Sequence, residues 1–190
     1  LNAAAVITST YDKLGNLISR TDAAGFRTLR WYDADSRITA EVDGDSVLRT
    51  YEYNAFGQVR AVTTYAERVL SPGALDPDSP PSGSVTGAAP HAITIQTVYD
   101  TMGRAIETVL PSADVTTLSG SGASTSASTA SEVLREQSFY DAWGKLVESV
   151  DRAGNHSYAW YDTRGRQVAS VDAAGFLTTT AFNSQDQVVK

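Results

Sequence analysis

The residues able to do chemistry in this chain are few and scattered. It has two histidines, His91 and His156, and no cysteine. Disulfides, thiol nucleophiles and thiolate metal sites are therefore excluded together. Neither histidine belongs to a His-Glu-x-x-His or His-x-x-x-His spacing that would hold zinc. A calcium site needs several oxygens converging within one loop. Asp43-Gly44-Asp45 and Asp76-Pro77-Asp78 come nearest to that, and both are short of ligands. A Ser-His-Asp triad can be assembled on paper, but no Gly-x-Ser-x-Gly elbow supports it. There is no phosphate loop and no dinucleotide fingerprint. The expectation is no catalytic residue, no cofactor and no metal. What remains are the flat faces of Trp31, Trp143 and Trp160, on which a sugar ring could stack. Trp143 lies inside a turn sequence and is the candidate glycan contact.

The abundant carboxylates have a regular placement that suggests a different job. One unit recurs: aromatic, Asp or Asn, two variable residues, Gly, then a polar residue and a short apolar stretch. Clear copies carry Tyr11-Asp12 with Gly15, Tyr99-Asp100 with Gly103, Tyr140-Asp141 with Gly144 and Tyr161-Asp162 with Gly165. Tyr53-Asn54 with Gly57 also matches. Tyr32-Asp33 has Ser36 where Gly is expected, and Phe182-Asn183 has Asp186 there. Tyr11, Tyr32 and Tyr53 are spaced by 21 residues, as are Tyr140, Tyr161 and Phe182. A second Asp-x-x-Gly lies inside most units, at Asp22, Asp151 and Asp172, with Asp43-Gly44-Asp45-Ser46 a degenerate copy. An Asp or Asn at the first turn position accepts backbone N–H groups within the turn. Gly at the fourth supplies a positive φ at no steric cost. A type I turn followed by such a residue is a common hairpin connection with a bulge.

Turns at this beat predict strands of about 6–7 residues between them. Segments such as Arg27-Thr28-Leu29-Arg30-Trp31-Tyr32 and Leu48-Arg49-Thr50-Tyr51-Glu52-Tyr53 are rich in β-branched and aromatic residues. The fold class expected is all-β: a repetitive antiparallel β-hairpin meander forming a curved or spiralling sheet. Equivalent aromatics of adjacent repeats are expected to stack on one another. The one helical candidate is short, Ala130-Ser131-Glu132-Val133-Leu134-Arg135-Glu136.

Seven registered copies of this unit, five of them good, resemble the Tyr-Asp-x-x-Gly-Arg repeat of about 21 residues, the YD repeat of the rearrangement-hotspot (Rhs) family. The same repeat occurs in the C component of bacterial Tc toxins, in polymorphic toxins and in animal teneurins. The resemblance covers nearly all of the chain outside two insertions. It implies a spiralling hairpin sheet, a section of a YD shell wall or an open fibre-like strip, in a large secreted or cell-surface bacterial polypeptide. Leu1 in place of an initiator Met fits a piece of something longer. The partners implied are other YD-repeat segments or copies of this chain, an enclosed toxin domain and, on the alternative reading, a glycan. Free strand edges invite end-to-end association, which when it does not close yields a fibre. In a bacterial protein the sequon Asn155-His156-Ser157 reads as incidental.

Bulk properties agree with that picture. The chain has 190 residues, 42% hydrophobic and 19% charged, a folded composition. A net charge of −7 argues against nucleic acid and against adsorption to anionic lipid. No apolar run approaches the roughly 20 residues of a helical membrane span. The expected organisation is YD repeats over 1–65, a Pro/Gly/Ser-rich insertion loop over 66–92, a repeat over 93–110, a Ser/Thr/Gly-rich insertion loop over 111–131, and repeats over 132–190.

Overall fold

In the computed structural model, residues 6–69, 75–76, 81, 91–121 and 126–189 are described. They form thirteen strands: β1 Thr8–Tyr11, β2 Leu17–Thr21, β3 Arg27–Tyr32, β4 Ile38–Val42, β5 Val47–Tyr53, β6 Val59–Arg68, β7 Ala92–Tyr99, β8 Ala105–Ser119, β9 Ser126–Tyr140, β10 Leu146–Val150, β11 His156–Tyr161, β12 Gln167–Val171 and β13 Leu177–Thr179. The sheet order is the sequence order, and the pairings of β1 through β6 and of β7 through β13 are antiparallel. The fold is an all-β hairpin meander. Among the described residues there is no helix, and hence none long and apolar enough to cross a membrane. The chain divides into two compact units, Leu1–Ile95 and Gln96–Lys190.

In the first unit the sheet has a small core on one face. Leu29, Trp31, Ala40, Val42 and Leu48 are buried. Register places them together, with Leu29 opposite Val42, Trp31 opposite Ala40 and Val42 opposite Leu48. The cover comes from the first insertion. Val69 is buried in this cluster and Leu75 packs against it. The Val69 N–H donates to the Ser46 carbonyl at 2.8 Å, and the Trp31 indole N–H donates to the Asp76 carbonyl at 2.9 Å. Where it is described, then, 66–92 is not simply a surface loop. β6 runs on to Arg68, and Val69 and Leu75 beyond it lie on the sheet, because an apolar face left wet forfeits about 25 cal/mol per Å². Pro72, Pro77 and Pro80, which suggested a loop, lie outside the described residues.

The second unit corrects two expectations. Most of 111–131 belongs to a long hairpin, β8 with β9, rather than a loop. The helical candidate Ala130–Glu136 lies within β9, where Val133 pairs with Ser112 and Glu132 with Ala113. A seven-residue helix is too short to sustain itself, whereas alternating Thr, Ser, Ala and Val suits a strand. Hydroxyl pairs fasten the hairpin, Thr116 to Thr129 at 2.8 Å and Ser119 to Ser126 at 2.9 Å. Pro111 sits where the register slips between Val109 and Ser112, a place that tolerates a missing N–H. No described side chain of this unit is fully buried.

Candidate functional site

The recurrent Asp and Asn residues build one turn eleven times among the described residues. In each, the first residue's N–H donates to the carbonyl four residues on, and the fourth residue's N–H donates back to the first carbonyl. The Oδ1 atom accepts two further N–H groups. For Asp12 these come from Leu14 and Asn16, for Asp33 from Asp35 and Arg37, for Asn54 from Phe56 and Gln58. Asp100, Asp141 and Asp162 repeat the arrangement. Gly15, Gly57, Gly103, Gly144 and Gly165 hold φ between 78° and 88°. Ser36, Ser46 and Asp186 hold φ near 61–65° at the same position, a left-handed conformation that side chains resist.

The second carboxyl oxygen is aimed at the residue four positions on. Arg37 Nε donates to Asp33 Oδ2 at 2.7 Å, Arg104 to Asp100 at 2.7 Å and Arg166 to Asp162 at 2.8 Å. Where the turn begins with Asn, the partner is Gln: Asn54 with Gln58 and Asn183 with Gln187, both at 2.9 Å. Asp12 takes Asn16 at 2.8 Å. These bonds hold several carboxyls below their ordinary value. For Asp33 and Asp162 the side-chain bond from the arginine is the largest cause, for Asp12 and Asp151 the side-chain bond from Asn16 or Asn155, and for Asp100 the Arg104 backbone N–H.

The turn cation then reaches the next repeat. Arg37 lies over the Tyr53 ring at 4.8 Å, Arg104 over Tyr140 at 4.6 Å, Lys145 over Tyr161 at 5.8 Å and Arg166 over Phe182 at 4.5 Å. Glycine at the fourth position leaves this slot open. A Cβ on Gly144 would stand 3.5 Å from Arg104 Nη1, and one on Gly165 3.0 Å from Lys145 Cε. At two of the three positions where Gly is replaced, the slot's occupant pairs with the newcomer: Asn16 donates to Ser36 Oγ at 3.1 Å, and Arg166 pairs with Asp186. Four of the turn tyrosines also donate their hydroxyls to a backbone carbonyl of the preceding repeat. The pairs are Tyr32 to Leu17, Tyr53 to Ile38, Tyr140 to Ala105 and Tyr161 to Leu146, at 2.8–3.1 Å.

Ring-on-ring stacking between equivalent tyrosines is not what joins the repeats. They stand two strands apart, about 9–10 Å, beyond the roughly 4.5–7 Å at which rings pair. The cation fills the gap. The ring pairs found among the described residues are His156 with Tyr158 and Tyr158 with Trp160, along one strand.

The candidates for other chemistry are placed apart. His91 pairs with Glu67, whose carboxyl that bond lowers, and His156 pairs with Glu148 at 2.7 Å. Asp43 is occupied by its own turn and by Arg49 at 2.9 Å. Among the described residues no group of three His, Cys, Asp or Glu side chains is placed to hold a metal ion. Asn155 donates its amide to Asp151. Of the tryptophans, Trp31 is 2% exposed, Trp160 48% and Trp143 87%. Trp143 borders a groove of about 400 Å³ with Asp141, Lys145, Tyr161, Asp162 and Arg164.

Comparison with known proteins adds a family match. The RHS Repeat family model matches residues 11–46, 32–69 and 140–180. No curated protein matches the sequence. Solved structures similar to the chain include TcdB2-TccC3, at 14% identity and TM-score 0.46, and TcdB2-TccC3-Cdc42, at 16% and 0.39. Each is matched over 96% of this chain and 10% of its own, so the chain spans about a tenth of their length.

Proposed function

The chain belongs to the RHS repeat family, and on that premise we propose that it is a non-enzymatic scaffold, a section of wall in a larger secreted or cell-surface bacterial polypeptide. Its role is mechanical: to carry an antiparallel sheet onward by a fixed increment per repeat. The observation that supports this most directly is the latch of tyrosine hydroxyl on preceding carbonyl, made at four places with the same atoms. Residues conserved in type at those places serve the joint between repeats rather than a reacting centre. In the full-length polypeptide such a wall would meet other YD segments and enclose a toxin domain.

Among the described strands β1 pairs with β2 alone and β13 with β12 alone, which leaves an outer edge on each. On this reading the isolated chain associates edge to edge. Light scattering over a concentration series should show growth beyond the monomer, reduced by Thr179→Pro in β13, whose N–H faces away from β12. A monodisperse monomer at every concentration would remove the edge-to-edge part of the proposal.

A second reading rests on Trp143. An indole 87% exposed, beside carboxylates and cations, has the makings of a sugar platform. Glycan-array binding abolished by Trp143→Ala would favour it. Absence of any glycan signal would leave the scaffold reading alone.

A further inference from the structure

Four turns begin with Asp and carry a cation four residues on. In three of them the two are joined: Arg37 Nε to Asp33, Arg104 to Asp100 and Arg166 to Asp162, at 2.7–2.8 Å. The fourth, Asp141 with Lys145, is open. Asp141 Oδ1 accepts the N–H groups of Trp143 and Lys145, as its equivalents do. Among the described residues, however, Asp141 Oδ2 has no partner and the Lys145 ammonium has no carboxylate. The reason lies in the side chain. A guanidinium holds the carboxylate with its fork while its face covers the next ring, and a single ammonium cannot do both. Lys145 Nζ lies 5.8 Å from the centre of the Tyr161 ring instead.

The open pair belongs to the groove of about 400 Å³ that the exposed Trp143 borders. The other ions of that groove are engaged, Asp162 with Arg166 and Arg164 with Asp186 at 2.9 Å. One carboxylate oxygen, one ammonium and one flat apolar face remain. The groove has a described repeat on each side of it, since Arg104 lies over Tyr140 and Arg166 over Phe182.

A balanced pair of this kind selects against ions. An anionic ligand would meet Asp141, a cationic one Lys145, and like charges brought together cost binding. A neutral ligand that presents a donor beside an acceptor satisfies both groups, and covering them without such partners would leave charges unpaired. We infer that the groove takes a neutral pyranose. Its C–H face lies on the Trp143 indole, one hydroxyl donates to Asp141 Oδ2, and the adjacent hydroxyl accepts from Lys145 Nζ. This rests on the glycan reading of Trp143 and narrows it to uncharged sugars, against uronic, sialic and sulfated ones.

The test titrates the whole chain separately with the methyl glycosides of glucose, galactose and mannose and with glucuronate. Binding is followed by the Trp143 indole N–H resonance, assigned with Trp143→Phe. At least one neutral glycoside should saturate in the millimolar range, and glucuronate should bind about tenfold more weakly or less. Lys145→Arg keeps the charge but supplies a guanidinium that closes on Asp141 as in the three sister turns. It should weaken the neutral sugar about tenfold, the loss of hydrogen bonds to charged groups, while raising the denaturation midpoint. Asp141→Asn keeps the Oδ1 cap, as Asn54 does, and should weaken the sugar likewise. Binding unchanged in either variant overturns the proposal. Glucuronate bound as tightly as the neutral glycosides also overturns it, and leaves the glycan reading standing. Silence from every sugar overturns both.

Discussion

Ser46 sits at the fourth position of a turn with φ of 65°, where the glycines of equivalent turns sit without strain. A side chain in that region costs roughly 1–2 kcal/mol, and glycine returns about 0.5–1 kcal/mol of that as extra freedom of the unfolded chain. Ser46→Gly should therefore stabilise by about 0.5–1 kcal/mol, read as a higher denaturation midpoint. The reverse change at Gly165 incurs the backbone strain and also brings the new Cβ to 3.0 Å from Lys145 Cε, which must give way. Gly165→Ala should thus cost more than Gly15→Ala, where nothing lies within 4 Å. Equal losses at the two sites would mean the cation slot has no energetic weight. Removing the latch oxygen in Tyr161→Phe should cost about 0.5–1 kcal/mol by chemical denaturation, at the low end for a hydrogen bond because the pair is exposed. Phe182, a ring under Arg166 with no hydroxyl, is the chain's own version of that change.

At the scale of the element, the turn was the most legible feature. Asp-x-x-Gly at alternating steps pointed to hairpins because both residue types have a local reason to be there. Its partner was less legible. Arg37 and Tyr53 meet only because two strands intervene, and that separation hid the cation between repeats behind an expectation of stacked rings. The 111–131 segment was misjudged for a different reason: Ser, Thr and Ala serve exposed strands and loops alike, and only hydrogen-bonded pairing separates the two. The turn also carries a pH dependence. Asp33, Asp100 and Asp162 have folded carboxyls below their ordinary 3.8. A depressed pKa contributes stability that is present in full above that value and drains away as pH falls through the folded one. Stability should be flat from neutral down to about pH 4 as far as these groups decide it, then decline. The pair Asp33→Asn with Arg37→Gln copies the Asn54–Gln58 turn, which has no carboxyl to protonate. Its midpoint should fall less with acid than that of the parent chain. An equal decline would show that the turn carboxylates do not set the acid limit.

Over the whole chain, the repeat lattice predicts where strands lie but not where a core forms. Leu29, Trp31, Val42 and Leu48 are buried, whereas their counterparts Tyr158, Trp160, Val171 and Leu177 are not, although the strands and registers match. What covers the first set is Val69 and Leu75, in an insertion whose Pro, Gly and Ser content read as loop. A strand can be recognised by its own alternation, but its burial depends on a second surface that the pattern does not contain. Stability should therefore be uneven along a chain of nearly uniform architecture. Trp31→Ala empties a filled site and removes the indole N–H from the Asp76 carbonyl. It should cost about 3–5 kcal/mol, the range for a core aromatic. Trp160→Ala, at the matching position with half its surface already wet, should cost about 1 kcal/mol or less. Amide exchange makes the comparison unit by unit. In the parent chain the slowest amides should lie in β3, β4 and β5. Trp31→Ala should speed them markedly, while Trp160→Ala should leave β10–β12 near their starting rates. If the two substitutions cost the same, the insertion is not what makes the first unit's core.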